Sequence, residues 1–186
     1  VKKIKLSAQV SLIVVLSALS FNLSAQPSVG DERVTFVRLT AEQYRNSIRD
    51  IFGDSIEITG NAITAGMREA GLMAVGGRRL TLSSSEVESY EVLALDIASQ
   101  VLRPSRRNTL IPCKPENENV FDRDCARKFI STVGYYLFRR PLSEDEIGSY
   151  SSMASKATDS LGDFYIGLQA ALVGMMVSPD FLFRIE

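Results

Sequence analysis

Three clusters of side chains are of a type and spacing that could do chemistry. In the stretch YYLFRRPLSEDEI, Arg139-Arg140-Pro141 is followed at Glu144-Asp145-Glu146 by three consecutive acids, a density of charge that would suit acid–base work or an oxygen-ligand metal site. Asp50, Asp54 and Glu57 stand at the edge of a glycine-rich segment and could form a second carboxylate or metal site. Cys113 and Cys125 flank KPENENVFDRD, a polar segment that burial alone could not hold in place.

The chain contains no histidine. That removes Ser-His and Cys-His nucleophile activation, a histidine general base near neutral pH, the facial triad for iron and C-x-x-C-H haem attachment. The cysteine spacing is neither C-x-x-C nor a zinc pattern. The glycines of GLMAVGGRR are wrongly spaced for a phosphate loop, and no Lys-Ser/Thr pair follows them.

The elements that would position these groups read as helices almost throughout. In RLTAEQYRNSIRDIFGD, Thr40 is placed as N-cap with Gln43 completing a capping box, and Leu39 can staple onto Tyr44. Tyr44, Ile48, Ile51 and Phe52 recur at helical spacing, and Gly53 is placed to close the helix in a left-handed cap. Residues 54–82, with Gly60, Gly66, Gly71, Gly76 and Gly77, read as a glycine-rich loop with at most a short helical turn near residues 65–72.

A second helix opens at Ser83–Ser85 with Val87, Tyr90, Ala94, Ile97 and Val101 on one face, and Pro104 is expected to end it. A loop carrying Cys113 leads to a third helix from about Asp122 to Arg139, with Ala126, Phe129, Ile130, Val133 and Leu137 inward. Pro141 stops that helix, and Arg139 and Arg140 fall where cations complement exposed carbonyls. Leu142-Ser143-Glu144-Asp145-Glu146-Ile147 then repeats the syntax of residues 39–44, so the three acids read as the first turn of a fourth helix rather than a catalytic cluster. That helix keeps Ile147, Tyr150, Ala154 and Ala157 on one face.

In YIGLQAALVGMMV, residues 165–177, only Gln169 is polar, and the segment is too short to span a bilayer. It predicts a fifth helix buried on all sides, of which four amphipathic neighbours would cover about half. PDFLFRIE adds a short last turn, and its apolar side chains lead us to expect exposed apolar surface there and a fragment that needs a partner. The fold class is therefore all-α: an irregular bundle of about five helices.

The bundle follows an export signal. Residues 1–25 carry Lys2, Lys3 and Lys5, an apolar run from Val10 to Phe21, and Leu23-Ser24-Ala25 as a cleavage site. The chain accordingly divides into a signal peptide (1–25), a linker (26–35), an N-terminal helical region with the glycine-rich loop (36–112) and a C-terminal helical domain (113–186). The location implied is periplasmic or secreted, with membrane contact only during export. Cleavage would move the formal charge from −1 to −4, a poor match for nucleic acid. In an oxidising compartment the default for Cys113 and Cys125 is a disulfide.

CARKFISTVGYYLFRRPLSEDEI followed by GLQAALVGMMVSPDFLFRIE resembles a domain of unknown function found in large exported planctomycete and proteobacterial proteins. RLTAEQYRNSIRDIFGD is similar to the companion N-terminal domain of the same proteins. The resemblance implies association with a cytochrome c domain and further domains downstream. It transfers no catalytic residue, and this chain lacks the haem motif, so a redox role would belong to a missing C-terminal part or a protein partner. The expected function is an exported, non-catalytic helical scaffold or binding module of a larger redox- or polysaccharide-associated protein. The alternative is a fragment of an enzyme with a carboxylate or metal site near Asp50, Asp54 and Glu57. No catalytic, cofactor-binding or metal residue is assigned.

Overall fold

The computed structural model describes residues 36–58 and 82–185. The segments expected to be a signal peptide (1–25) and a linker (26–35), and most of the segment expected to be a glycine-rich loop, lie outside the described residues. In chain order the elements are β1 (Phe36–Arg38), α1 (Ala41–Phe52), α2 (Ser84–Val101), α3 (Pro104–Leu110), α4 (Arg123–Phe138), α5 (Glu144–Leu161), α6 (Phe164–Met176), α7 (Pro179–Leu182) and β2 (Phe183–Ile185). The fold is mainly α-helical, and the one sheet among the described residues is a two-stranded antiparallel ribbon pairing Phe36 with Ile185 and Arg38 with Phe183.

Helix starts follow the local chemistry of the sequence. Thr40, Ser83 and Ser143 each cap a helix through a reciprocal box with Gln43, Glu86 and Glu146; each such cap stabilises by about 1 kcal/mol. Asp122 and Asp163 cap α4 and α6 through single carboxylates. Helix ends depart from expectation in two places. Gly53 has φ 89° and ψ 162°, outside the left-handed helical well and in a region that, for want of a Cβ, is essentially confined to glycine. Pro104 does not end α2, which stops at Val101; it sits at the first position of α3, where its missing N–H costs nothing.

The core is a single cluster drawn from all the longer helices. On α2 the buried stripe is Tyr90, Leu93, Ala94, Ile97, Ala98 and Val101, whereas Val87 is 45% exposed because the first turn of the helix faces largely to solvent. All five residues expected inward on α4 are buried. On α5, Ile147 and Ala154 are buried, Tyr150 and Ala157 are half-buried, and Thr158 is buried, its hydroxyl donating to the Ala154 carbonyl at 2.9 Å.

α6 is the central helix, packed by α2, α4, α5 and α7. Its expected half-covered state is not found: of its large apolar side chains only Ile166 is exposed, and Phe181 and Leu182 beyond it are buried as well. Two features account for the difference. Gly167 lets α6 approach α5 so closely that a Cβ there would collide with Thr158 and the Ala154 carbonyl. The chain after α6 then turns back, so that the Phe181 ring packs on Tyr44 at 5.1 Å and the ribbon joins β2 to β1. Cys113 and Cys125 form a disulfide with Cα atoms 5.5 Å apart, worth about 3 kcal/mol in the chain-entropy model.

Candidate functional site

A cleft lies where the end of α4, the start of α7 and the ribbon meet. It has a volume of about 610 Å³ and is lined by Phe36, Phe138, Arg139, Arg140, Pro179, Asp180, Phe183 and Arg184. The walls are thus aromatic and cationic, with one carboxylate.

The two adjacent arginines have different surroundings. Arg140 is consumed by ion pairing: its two terminal nitrogens donate to Glu146 at 2.9 and 2.7 Å and one of them also to Asp180 at 2.9 Å. This joins the end of α4 to the starts of α5 and α7. Glu146 in turn accepts from the Ser143 N–H at 2.7 Å, and Arg140 above all holds its carboxyl down to about 2. The expected interaction of Arg140 with the carbonyls at the end of α4 is therefore replaced by a carboxylate network.

Arg139 terminates α4 in the left-handed conformation, φ 59° and ψ 23°, and is the only non-glycine residue of positive φ among the described residues. Glycine is the usual occupant of such a position because it has no Cβ to crowd the following carbonyl. The Arg139 guanidinium lies 5.8 Å from the Phe181 ring centroid and makes a long contact of 3.4 Å to the Phe181 carbonyl. It has no ion pair among the described residues. Desolvation, and then the like charge of Arg184, lower its pKa from the usual arginine value.

A smaller cleft of about 180 Å³ lies between residues 55–57 and the α2–α3 corner, lined by Ser55, Glu57, Asp96, Gln100, Arg103 and Arg106. Here Gln100 and Arg106 bond to the backbone of residues 55–57, although Arg106 Nη1 is buried without a partner among the described residues. The Gln100 amide accepts from the Glu57 N–H at 2.9 Å and donates to the Glu57 carbonyl at 2.8 Å, while Arg106 donates to the Ser55 carbonyl at 2.6 Å.

Of the acids singled out from sequence, Asp50, Asp54 and Glu57 are all exposed, and no group of three His, Cys, Asp or Glu among the described residues could hold a metal ion. Glu144 pairs with Arg127 at 2.6 Å, and Glu146 is a cap and an ion-pair partner. Sequence reasoning read residues 139–147 as a structural junction, which holds for Arg140, Ser143 and Glu146. It missed the cleft, because the opposing wall of Asp180, Phe183, Arg184 and Phe36 is brought there only by the returning chain. The available signal was an arginine standing where a helix ordinarily ends in glycine.

Residues 125–186 match the model of a family described as "PSD5: Protein of unknown function (DUF1595)". No curated protein and no solved structure matches. The matched segment runs from Cys125 through β2 and contains every residue lining the larger cleft except Phe36, so the last third of the chain is similar to a domain family of unknown function.

Proposed function

We propose that this chain is an exported, non-catalytic helical module that binds within a larger redox- or polysaccharide-associated assembly, and that the 610 Å³ cleft is its binding face. One observation carries the reading. Of the acids that could have done chemistry at the α4–α5 junction, Glu144 is an ion-pair partner and Glu146 both a cap and an ion-pair partner, while the adjoining cleft presents Arg139 without a carboxylate partner among the described residues. The Cys113–Cys125 disulfide supports export, since such bonds persist in oxidising compartments. The redox or polysaccharide association rests on the resemblance of the sequence to exported multidomain proteins.

The test is a titration with Mg²⁺, Ca²⁺, Mn²⁺ and Zn²⁺, followed by calorimetry, on the wild type and on the combined variant Asp50→Asn, Asp54→Asn, Glu57→Gln. Three substitutions on exposed side chains should leave stability within about 0.5 kcal/mol per site, and no saturable metal binding should be lost with them. A stoichiometric metal site that disappears in the variant would favour an enzyme fragment and contradict the module reading.

A further inference from the structure

We infer that the cleft between α4, α7 and the ribbon is a docking site for an acidic peptide segment of a partner protein, with a peptide carboxylate meeting Arg139 and an adjacent apolar side chain lying among Phe36, Phe138 and Phe183. The inference rests on the binding-module reading and names the occupant of the same face. Three independent features lead to it.

The first is backbone conformation. A residue with a long side chain stands in the left-handed conformation at the end of α4, where glycine would fit without steric cost. Arg139 lines the cleft, so this unfavoured backbone conformation presents a guanidinium to it.

The second is charge. Three arginines and one aspartate line the cleft, and Asp180, together with Glu146 outside the lining, is committed to Arg140. Burial first, and repulsion by the like charge of Arg184 second, lower the pKa of Arg139. An incoming carboxylate relieves that repulsion and can engage the planar guanidinium through two parallel hydrogen bonds.

The third is the apolar wall. Phe36 is 48% exposed, and Phe138 and Phe183 complete an aromatic lining beside the cations. Inorganic phosphate carries the negative charge but no apolar group, and a polyuronate offers these rings only the C–H faces of its sugars, a thinner cover than a whole apolar side chain. An acidic peptide with an aromatic or aliphatic residue next to its carboxylate supplies both, and the volume is within the range of sites that take several side chains.

The experiment uses the full disulfide-bonded chain and a fluorescent, end-capped hexapeptide of alternating Glu and Phe, read by anisotropy. Saturable binding is expected, weakened by salt and at least tenfold weaker for Arg139→Gln, for a peptide with Gln in place of Glu, and for one with Ser in place of Phe. Arg184→Gln serves as a second variant, with a smaller loss expected, and the melting temperature of each variant is measured so that a folding defect is not read as a binding one.

No saturable binding, or binding unchanged by Arg139→Gln, would overturn the inference. Polygalacturonate or phosphate competing as well as the peptide, with no benefit from Phe, would assign the cleft to a bare anion instead and equally overturn it. Any of these results, with the metal titration silent, removes the peptide and leaves the module reading in place; a metal site at Asp50, Asp54 and Glu57 would remove the module reading itself.

Discussion

Two clefts of this molecule, the one at the end of α4 and the one at the α2–α3 corner, are built from similar materials and end in opposite states. Each sits at a helix junction, each contains arginines and acids, and each joins segments distant in sequence. In the smaller one Gln100 completes the hydrogen bonding of Glu57 much as a neighbouring strand would, and Arg106 takes the Ser55 carbonyl. In the larger one Arg140 fastens three helices together, yet its neighbour Arg139 remains beside aromatic rings and another cation. Polar groups spent on the backbone mark a joint. A charge left against apolar walls on a residue of positive φ is the feature on which the proposed binding face rests.

The largest effect that would sharpen this contrast is expected at the joint. Gln100→Ala removes two bonds to Glu57 and a third to Asp96 at 3.1 Å. At about 1 kcal/mol net per hydrogen bond, part of which water regains, the loss should be about 2 kcal/mol. Chemical denaturation should show it as a lower midpoint, with peptide binding at the other cleft unchanged. A stable Gln100→Ala that no longer binds would reverse the roles assigned to the two regions.

A smaller effect follows from the carboxylate network. Glu146 is held down to about 2, chiefly by Arg140, and Glu86 also to about 2, chiefly by the Ser83 N–H, against an ordinary value of 4.5. A carboxyl whose folded pKa is depressed contributes stability that is present above its unfolded pKa and lost as pH falls toward its folded one. Stability should therefore decline between pH 4.5 and about 2. Glu146→Gln should flatten that slope while costing about 1 kcal/mol at neutral pH through the weakened cap and ion pair. An unchanged slope measured by denaturant titration across this window would show that the network is not what holds α5 and α7 to α4.

What could be read from the sequence was what is local. The capping boxes at Thr40, Ser83 and Ser143 need only residues three apart, and the inward face of α4 needs only its own periodicity. The disulfide was expected from two cysteines flanking a polar segment in a chain expected to be exported. Features set by distant residues were not legible. The coverage of α6 depends on a close approach at Gly167 and on Phe181 returning to Tyr44, neither of which leaves a periodic trace. β1 and β2 are each three residues long and 147 positions apart by the Phe36–Arg38 and Phe183–Ile185 numbering, so alternation within either is too brief to signal a strand. The larger cleft inherits this difficulty, because the wall at residues 138–140 is met by one that Phe36 and residues 179–184 form only after the chain has folded back. Pro104 was legible as punctuation but ambiguous in sense, since proline both follows one helix and opens the next.

The smallest expected change in stability bears most directly on the claim that Arg139 is kept for binding rather than for folding. Equilibrium unfolding of Arg139→Gly beside the wild type measures it. Glycine relieves the left-handed backbone at φ 59° while removing no ion pair among the described residues, so the account predicts a protein about 0.5–1 kcal/mol more stable that has lost affinity for the acidic peptide. A variant less stable than the wild type by 1 kcal/mol or more would mean that the Arg139 side chain holds the fold through Phe181, and would contradict its assignment to a binding face.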